Sequence, residues 1–156
     1  MATTEQLLRE GTLQSLLKAL GLLRRLVAFH SSLIQPCIDD MALLTNRCLV
    51  HNSNTVRTVA ALVVGDMCSV FGDDMLRHLH GAQPGSDPLI LSLLNVATGT
   101  HRGAAAAASS TLNTYALTLN QASVVRQLER YIDHADAAIR SKASLLLMSA
   151  TYRLHA

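Results

Sequence analysis

From residue 12 the chain reads "TLQSLLKALGLLRRLVAF", with Leu13, Leu16, Leu17, Leu20, Leu23 and Val27 recurring at three- and four-residue steps. That rhythm lines one face of a helix with apolar side chains and leaves Lys18 and Arg25 on the other side. "HSSLIQP" interrupts it, and Pro36, with its preset φ and missing N–H, suits the first turn of a second helix running to about residue 50. "HNSN" then reads as a turn. From Ser53 or Asn54 a third helix is expected, capped by the polar side chain and buried through Val56, Val59, Ala60, Val63 and Val64. "FGDD" ends it, with Asp73 or Asp74 as the cap of a short helix, and "HGAQPGSDP", residues 80–88, is the clearest loop. Beyond it "LILSLLNVA" and "HRGAAAAASSTLNTYAL" form a helix pair joined around "TGT". "ASVVRQLERYI", the turn "DHAD" and "AAIRSKASLLLMSATYRL" repeat that design, so helices are expected in hairpins.

Composition sharpens this into an all-α reading. The 156 residues suit one domain, 1–156, with a full core. Hydrophobic residues make up 49% but aromatics only 3%, so the core must be built from Leu, Ala, Val and Ile, which suits closely packed helices. The three prolines and eight glycines leave long segments of helix formers unbroken. A net charge of +2 supplies no basic field of the kind nucleic-acid binders carry. Cys37, Cys48 and Cys68 are odd in number and without CxxC spacing, which predicts reduced thiols filling the core of an intracellular protein. No apolar run approaches the ~18 residues of a membrane span, and a soluble, cytosolic chain is expected.

Three stretches echo one another: Arg57 to Ala60, Arg102 to Ala105 and Arg140 to Ala143 each read Arg-x-x-Ala. Four residues before each arginine stands a candidate cap, namely Ser53, Thr98 and Asp136. The arginines lie 45 residues (57 to 102) and 38 residues (102 to 140) apart, close to the roughly 40 to 47 residues of HEAT and armadillo helix pairs. Stacked hairpins share the core that an isolated hairpin cannot close. The expected architecture is therefore a right-handed α-solenoid of about four HEAT-like hairpins, over approximately 5–33, 36–72, 74–118 and 120–155. Its polar turns would line one edge: His51, Asn52, Ser53, Asn54, His101, Arg102, His134, Asp136, Arg140 and Lys142, with residues 11–15 completing it in the first hairpin. Each of these residues also has a plain role as helix cap or solvated turn, and the arginines as partners of a neighbouring repeat's carboxylate or carbonyl.

"LLKALGLLRRLVAFHSSLI", "SNTVRTVAALVVGDMCSVFGDDM" and "DHADAAIRSKASLLLMSATYRL" resemble successive HEAT repeats of TOG domains, above all those of CLASP and of crescerin-type ciliary TOG-array proteins. The resemblance covers nearly the whole chain as a pattern, most specifically residues 14–74 and 134–147. It implies a non-enzymatic structural protein that binds tubulin or the microtubule lattice through its turns, in the cytoplasm and cytoskeleton, in the axoneme of a cilium or flagellum, with other axonemal proteins as further partners. The contact edge it implies comprises Leu13, Asn52, Asn54, Arg102, Arg140 and Lys142. Leu13 stands near the place where the family often presents a tryptophan, and Ser53 near a frequent basic residue. TOG domains usually have six repeats. A general HEAT scaffold without tubulin affinity, binding partners by its helical faces, is the alternative.

No nucleophile with a base, no carboxylate pair and no phosphate-cradling glycine loop is specified by spacing, so neither an enzyme nor a cofactor is expected. His78 and His80 are two residues apart and would face different ways on a helix, a poor metal clamp. His51, His101 and His134 all sit by turns, where they would add positive charge to the edge below about pH 6.5. "GAAAAASS", residues 103–110, reads as close helix packing rather than membrane insertion, and Asp66 as a structural carboxylate bonding a neighbouring repeat.

Overall fold

The computed structural model describes residues 4–81, 85 and 87–154, with side chains described within residues 11–153. The secondary-structure elements of the described residues are all helices, without a strand. The expected loop at 80–88 falls partly outside them, at residues 82–84 and 86, as does the end of "TYRLHA" at residues 155–156.

Helix α1 (Thr4–Phe29) runs unbroken through the segment expected to form the first turn. Nothing there breaks a helix: Gly11 has open space around it, and residues 11–15 include no proline. The first element is accordingly a long single helix rather than a hairpin. A short helix α2 (Ser31–Ile34) and a 3₁₀ turn over Gln35–Cys37, with Pro36 in its opening positions, lead into α3 (Ile38–Leu49).

Helix α4 (Asn54–Phe71) begins as expected, with Ser53 Oγ accepting a hydrogen bond from Val56 N, and ends at Gly72, whose φ of +59° suits glycine. The next helix, α5 (Leu76–His80), has no side-chain cap. Asp73, expected to cap it, instead accepts from Asn120 N at 2.7 Å, and Asp74 accepts from Gln35 Nε2 at 3.1 Å. Helices α6 (Leu89–Ala97), α7 (Arg102–Thr118), α8 (Gln121–Glu129) and α9 (Ala137–Leu154) follow.

The short connections make α3/α4, α6/α7 and α8/α9 packed hairpins, while α1 lies against α4. Helix α4 sits between α1 and α7, and α9 packs on α7. Three bonds fix their directions. Arg24 Nε donates to Asp66 Oδ2 at 2.8 Å, joining the late part of α1 to the late part of α4. The Asn120–Asp73 bond joins the ends of α4 and α7, and an Arg153 guanidinium N donates to Leu119 O at 2.7 Å, joining the ends of α7 and α9. The four helices therefore run the same way. Asp66 has the structural role expected of it, with its partner on α1.

Why α4 and α7 approach so closely is readable from their small residues. Ala60 and Ala61 of α4 and Ala104, Ala107 and Ala108 of α7 are buried, and Thr111 Oγ1 donates to Ala61 O at 2.6 Å. Between the hairpins, buried Asn46 of α3 donates from Nδ2 to Asp87 O at 2.7 Å and accepts from Ser92 Oγ at 2.6 Å, fastening α6 to α3 with its polar atoms satisfied. Cys48 and Cys68 are free and buried, and burial pushes the Cys68 thiol up to about 12. Cys37 departs from the core-filling expectation: it is exposed, because the 3₁₀ turn carries it on the outside.

His78 and His80 do face different ways. His78 Nε2 lies 3.1 Å from Asp39 Oδ1, whereas His80 Nε2 meets the hydroxyl of fully buried Tyr115 at 2.6 Å, the rings edge to face. Desolvation first, and the charge of Arg130 second, lower the His80 pKa from 6.5 to about 4. Below pH 6.5 the unfolded chain then takes up a proton that the folded chain refuses, so stability falls as pH drops towards 4. Thermal melts across that interval should show a declining midpoint, and His80→Gln should flatten the decline. An unchanged slope in the variant would refute the assignment. His78, lowered by desolvation against the opposing pull of Asp39, leaves a residual slope.

Candidate partner-binding edge

Because α4, α7 and α9 run in one direction, the turns that precede them, residues 50–53, 98–101 and 130–136, come to one edge. Two of these turns share one plan. Ser53 N donates to His51 Nδ1 at 2.9 Å, and Arg57 reaches back to donate to His51 O at 2.7 Å and Asn52 O at 3.3 Å. Likewise Asp136 N donates to His134 Nδ1 at 3.0 Å, and Arg140 donates to His134 O at 2.7 Å and Ala135 O at 3.1 Å. Asp136 Oδ1 caps α9 by accepting from Ala138 N at 2.8 Å. In both turns the arginine holds its own turn's carbonyls, a structural role, but not the pairing with a neighbouring repeat's carboxylate or carbonyl that the sequence suggested.

The middle turn is built differently. Its cap is His101, whose Nδ1 accepts from Ala104 N at 3.0 Å; Thr98, the expected cap, ends α6 and donates its hydroxyl to Leu94 O at 2.8 Å. Arg102 is consequently the first residue of α7, not a residue one turn in, and the second Arg-x-x-Ala is out of register with the other two. The shift frees it: Arg102 is exposed and makes no ion pair among the described residues. All three turn histidines accept at Nδ1, which requires a neutral ring there. The positive charge expected of them in acid and the bonded turn are therefore alternatives.

The expected contact residues are only partly gathered. Asn52 and Asn54 are exposed beside Arg57, with Asn54 Oδ1 accepting from the Arg57 guanidinium. Arg140 and Lys142 lie half-buried in the first part of α9. Leu13 does not join a turn: it is half-buried inside α1 and packs against the core. What sequence reading missed is the groove of about 320 Å³ that connects the first two turns, lined by Val50, Arg57, Asn95, Thr100 and His101. The "TGT" connection located its wall but not its partner across the gap.

Among the described residues no three His, Cys, Asp or Glu side chains are grouped to hold a metal ion, and no helix is long and apolar enough to cross a membrane. Comparison with known proteins yields no matching family model, no matching curated protein and no matching solved structure.

Proposed function

We propose that the chain is a short right-handed α-solenoid of HEAT-like hairpins, similar to a TOG domain, that binds tubulin or the microtubule lattice without enzymatic activity. The observation that carries this reading is the common direction of α4, α7 and α9, which gathers three polar turns on one edge. Three hairpins and a leading helix replace the four hairpins expected, so the edge has three turns. Arg102, with Lys142 and the turn asparagines, supplies cations and hydrogen-bond donors against tubulin's acidic surface, while Arg57 and Arg140 keep their turns in shape. Few contacts of this kind bind weakly alone, and placement in a larger array in the axoneme of a cilium or flagellum adds avidity. The cytoskeleton is the proposed location.

Microtubule co-sedimentation tests it. Wild-type protein should pellet with microtubules at low salt and less at moderate salt, because exposed charge pairs are screened, and Arg102→Glu with Lys142→Glu should remove the binding. Failure to pellet at either salt would overturn the reading. A general scaffold is the second reading, and it has an observation of its own: α9 exposes Leu145 (59%), Met148 (67%) and Tyr152 (80%) along one stripe. Under that reading the charge reversal leaves partner binding intact.

A further inference from the structure

Helix α8 buries Val124, Gln127 and Leu128 and turns Arg126 outwards, and Arg130, the C-cap residue just past its end and still helical in backbone conformation, is exposed as well. The two arginines are four residues apart, one above the other along the helix, about 6 Å by helical rise. Facing them is the end of α5, and between the two lies an open groove of about 390 Å³ lined by Arg77, His80, Ser123, Arg126, Gln127 and Arg130. Arg77 is neutralised by Asp39 at 2.5 Å. Arg126 and Arg130 meet no carboxylate among the described residues. His80 already gives its Nε2 to Tyr115. The groove thus presents two uncompensated guanidinium groups with neutral polar side chains around them.

Like charges one helical turn apart destabilise a helix by a few tenths of a kcal/mol, and a bound anion relieves that repulsion. Guanidinium forks match oxyanions in two parallel hydrogen bonds. The spacing narrows the ligand further. In an extended peptide, alternate side chains point the same way and repeat at about 6.6 Å, which matches the helical step from Arg126 to Arg130. A nucleic-acid strand is disfavoured: no Phe, Tyr or Trp lines the groove for successive bases to stack on.

We propose that the groove between α5 and α8 binds an extended acidic segment of a partner protein, with alternating Asp or Glu carboxylates seated on Arg126 and Arg130. The groove takes Arg130 from the start of the third turn but none of the residues proposed to meet tubulin, namely Arg102, Lys142 and the turn asparagines, so it is tested separately from the tubulin reading.

Fluorescence anisotropy with a labelled peptide of about five Glu-Ser repeats tests this, against its Gln-Ser counterpart, at about 50 mM and about 200 mM salt. The acidic peptide should bind, the neutral one should not, and Arg126→Gln with Arg130→Gln should weaken binding about tenfold or more. Ser123→Glu, a residue type suited to the first turn of α8, should weaken it too by placing a carboxylate in the groove. The variant Arg102→Glu with Lys142→Glu should keep the affinity, which separates this site from the turn edge. Unchanged binding in both groove variants overturns the proposal. So does displacement by inorganic phosphate beyond that by chloride of equal ionic strength, which would make the groove a phosphate site. Stronger competition by a single-stranded oligonucleotide than by unlabelled peptide would assign it to nucleic acid instead.

Discussion

Replacing Tyr115 by alanine is expected to cost about 3–5 kcal/mol of folding free energy, the range for deleting a large buried ring. Tyr115 is the largest fully buried side chain of the described core, and it stands where α7 meets α5. Its loss opens a cavity and leaves His80 without the hydroxyl 2.6 Å from its Nε2. Against a total of about 5–15 kcal/mol for an ordinary domain, that is a large share. At about 2–4 °C per kcal/mol for chains of this size, the melting midpoint should fall by roughly 6–20 °C. Tyr115→Phe keeps the ring and removes only the hydrogen bond, so it should cost about 1 kcal/mol. Urea denaturation of both variants checks the contrast. Equal losses would mean that the polar contact, rather than packing, dominates the site.

Gly65→Ala should destabilise the protein even though alanine in a helix interior ordinarily gains about 1 kcal/mol over glycine. A Cβ at Gly65 would stand 2.8 Å from Thr111 Oγ1, and that hydroxyl is buried and bonded to Ala61 O. Either the bond breaks, costing the buried Thr111 hydroxyl its acceptor while Ala61 O keeps its helical partner, or α4 moves away from α7 and loosens the most extensive helix pairing among the described residues. Overpacking costs about 1–3 kcal/mol, so the net change should be a loss, and Gly65→Val should lose more. Thr111→Ala in the same chain removes the obstacle, and the double variant should be more stable than the sum of the single changes predicts. A stabilising Gly65→Ala would show that the two helices are not so close.

Much of the helical content was legible because periodicity and caps are local. The apolar rhythm of α1, Ser53 at the start of α4, Asp136 at the start of α9 and the turns around residues 51–54, 98–100 and 133–136 all follow from residues within a few positions of one another. The misreadings arose where a local signal had two meanings. "GTLQS" could be a turn or the interior of a helix, and α1 continued because no residue there opposed it. The second Arg-x-x-Ala matched its counterparts as letters, but His101 took the cap and moved Arg102 by nearly a turn. A histidine that caps through Nδ1 is not foreseeable from spacing, since the same residue type serves in other roles.

The order of residues by itself determined that the chain is helical, which faces are apolar and where most helices begin, because these depend on side-chain size, polarity and short-range hydrogen bonds. Only the tertiary structure decided that α1, α4, α7 and α9 run together, that Arg57 and Arg140 are held by their own turns while Arg102 makes no ion pair among the described residues, and that Arg126 and Arg130 look across a groove at α5. The shared direction and the groove depend on contacts between residues some 40 positions apart, such as Arg24 with Asp66 and Asn120 with Asp73, whereas the turn arginines are settled by bonds to carbonyls five and six residues away. The physical reason is that a charge has a role only relative to its neighbours, and packing chooses the neighbours.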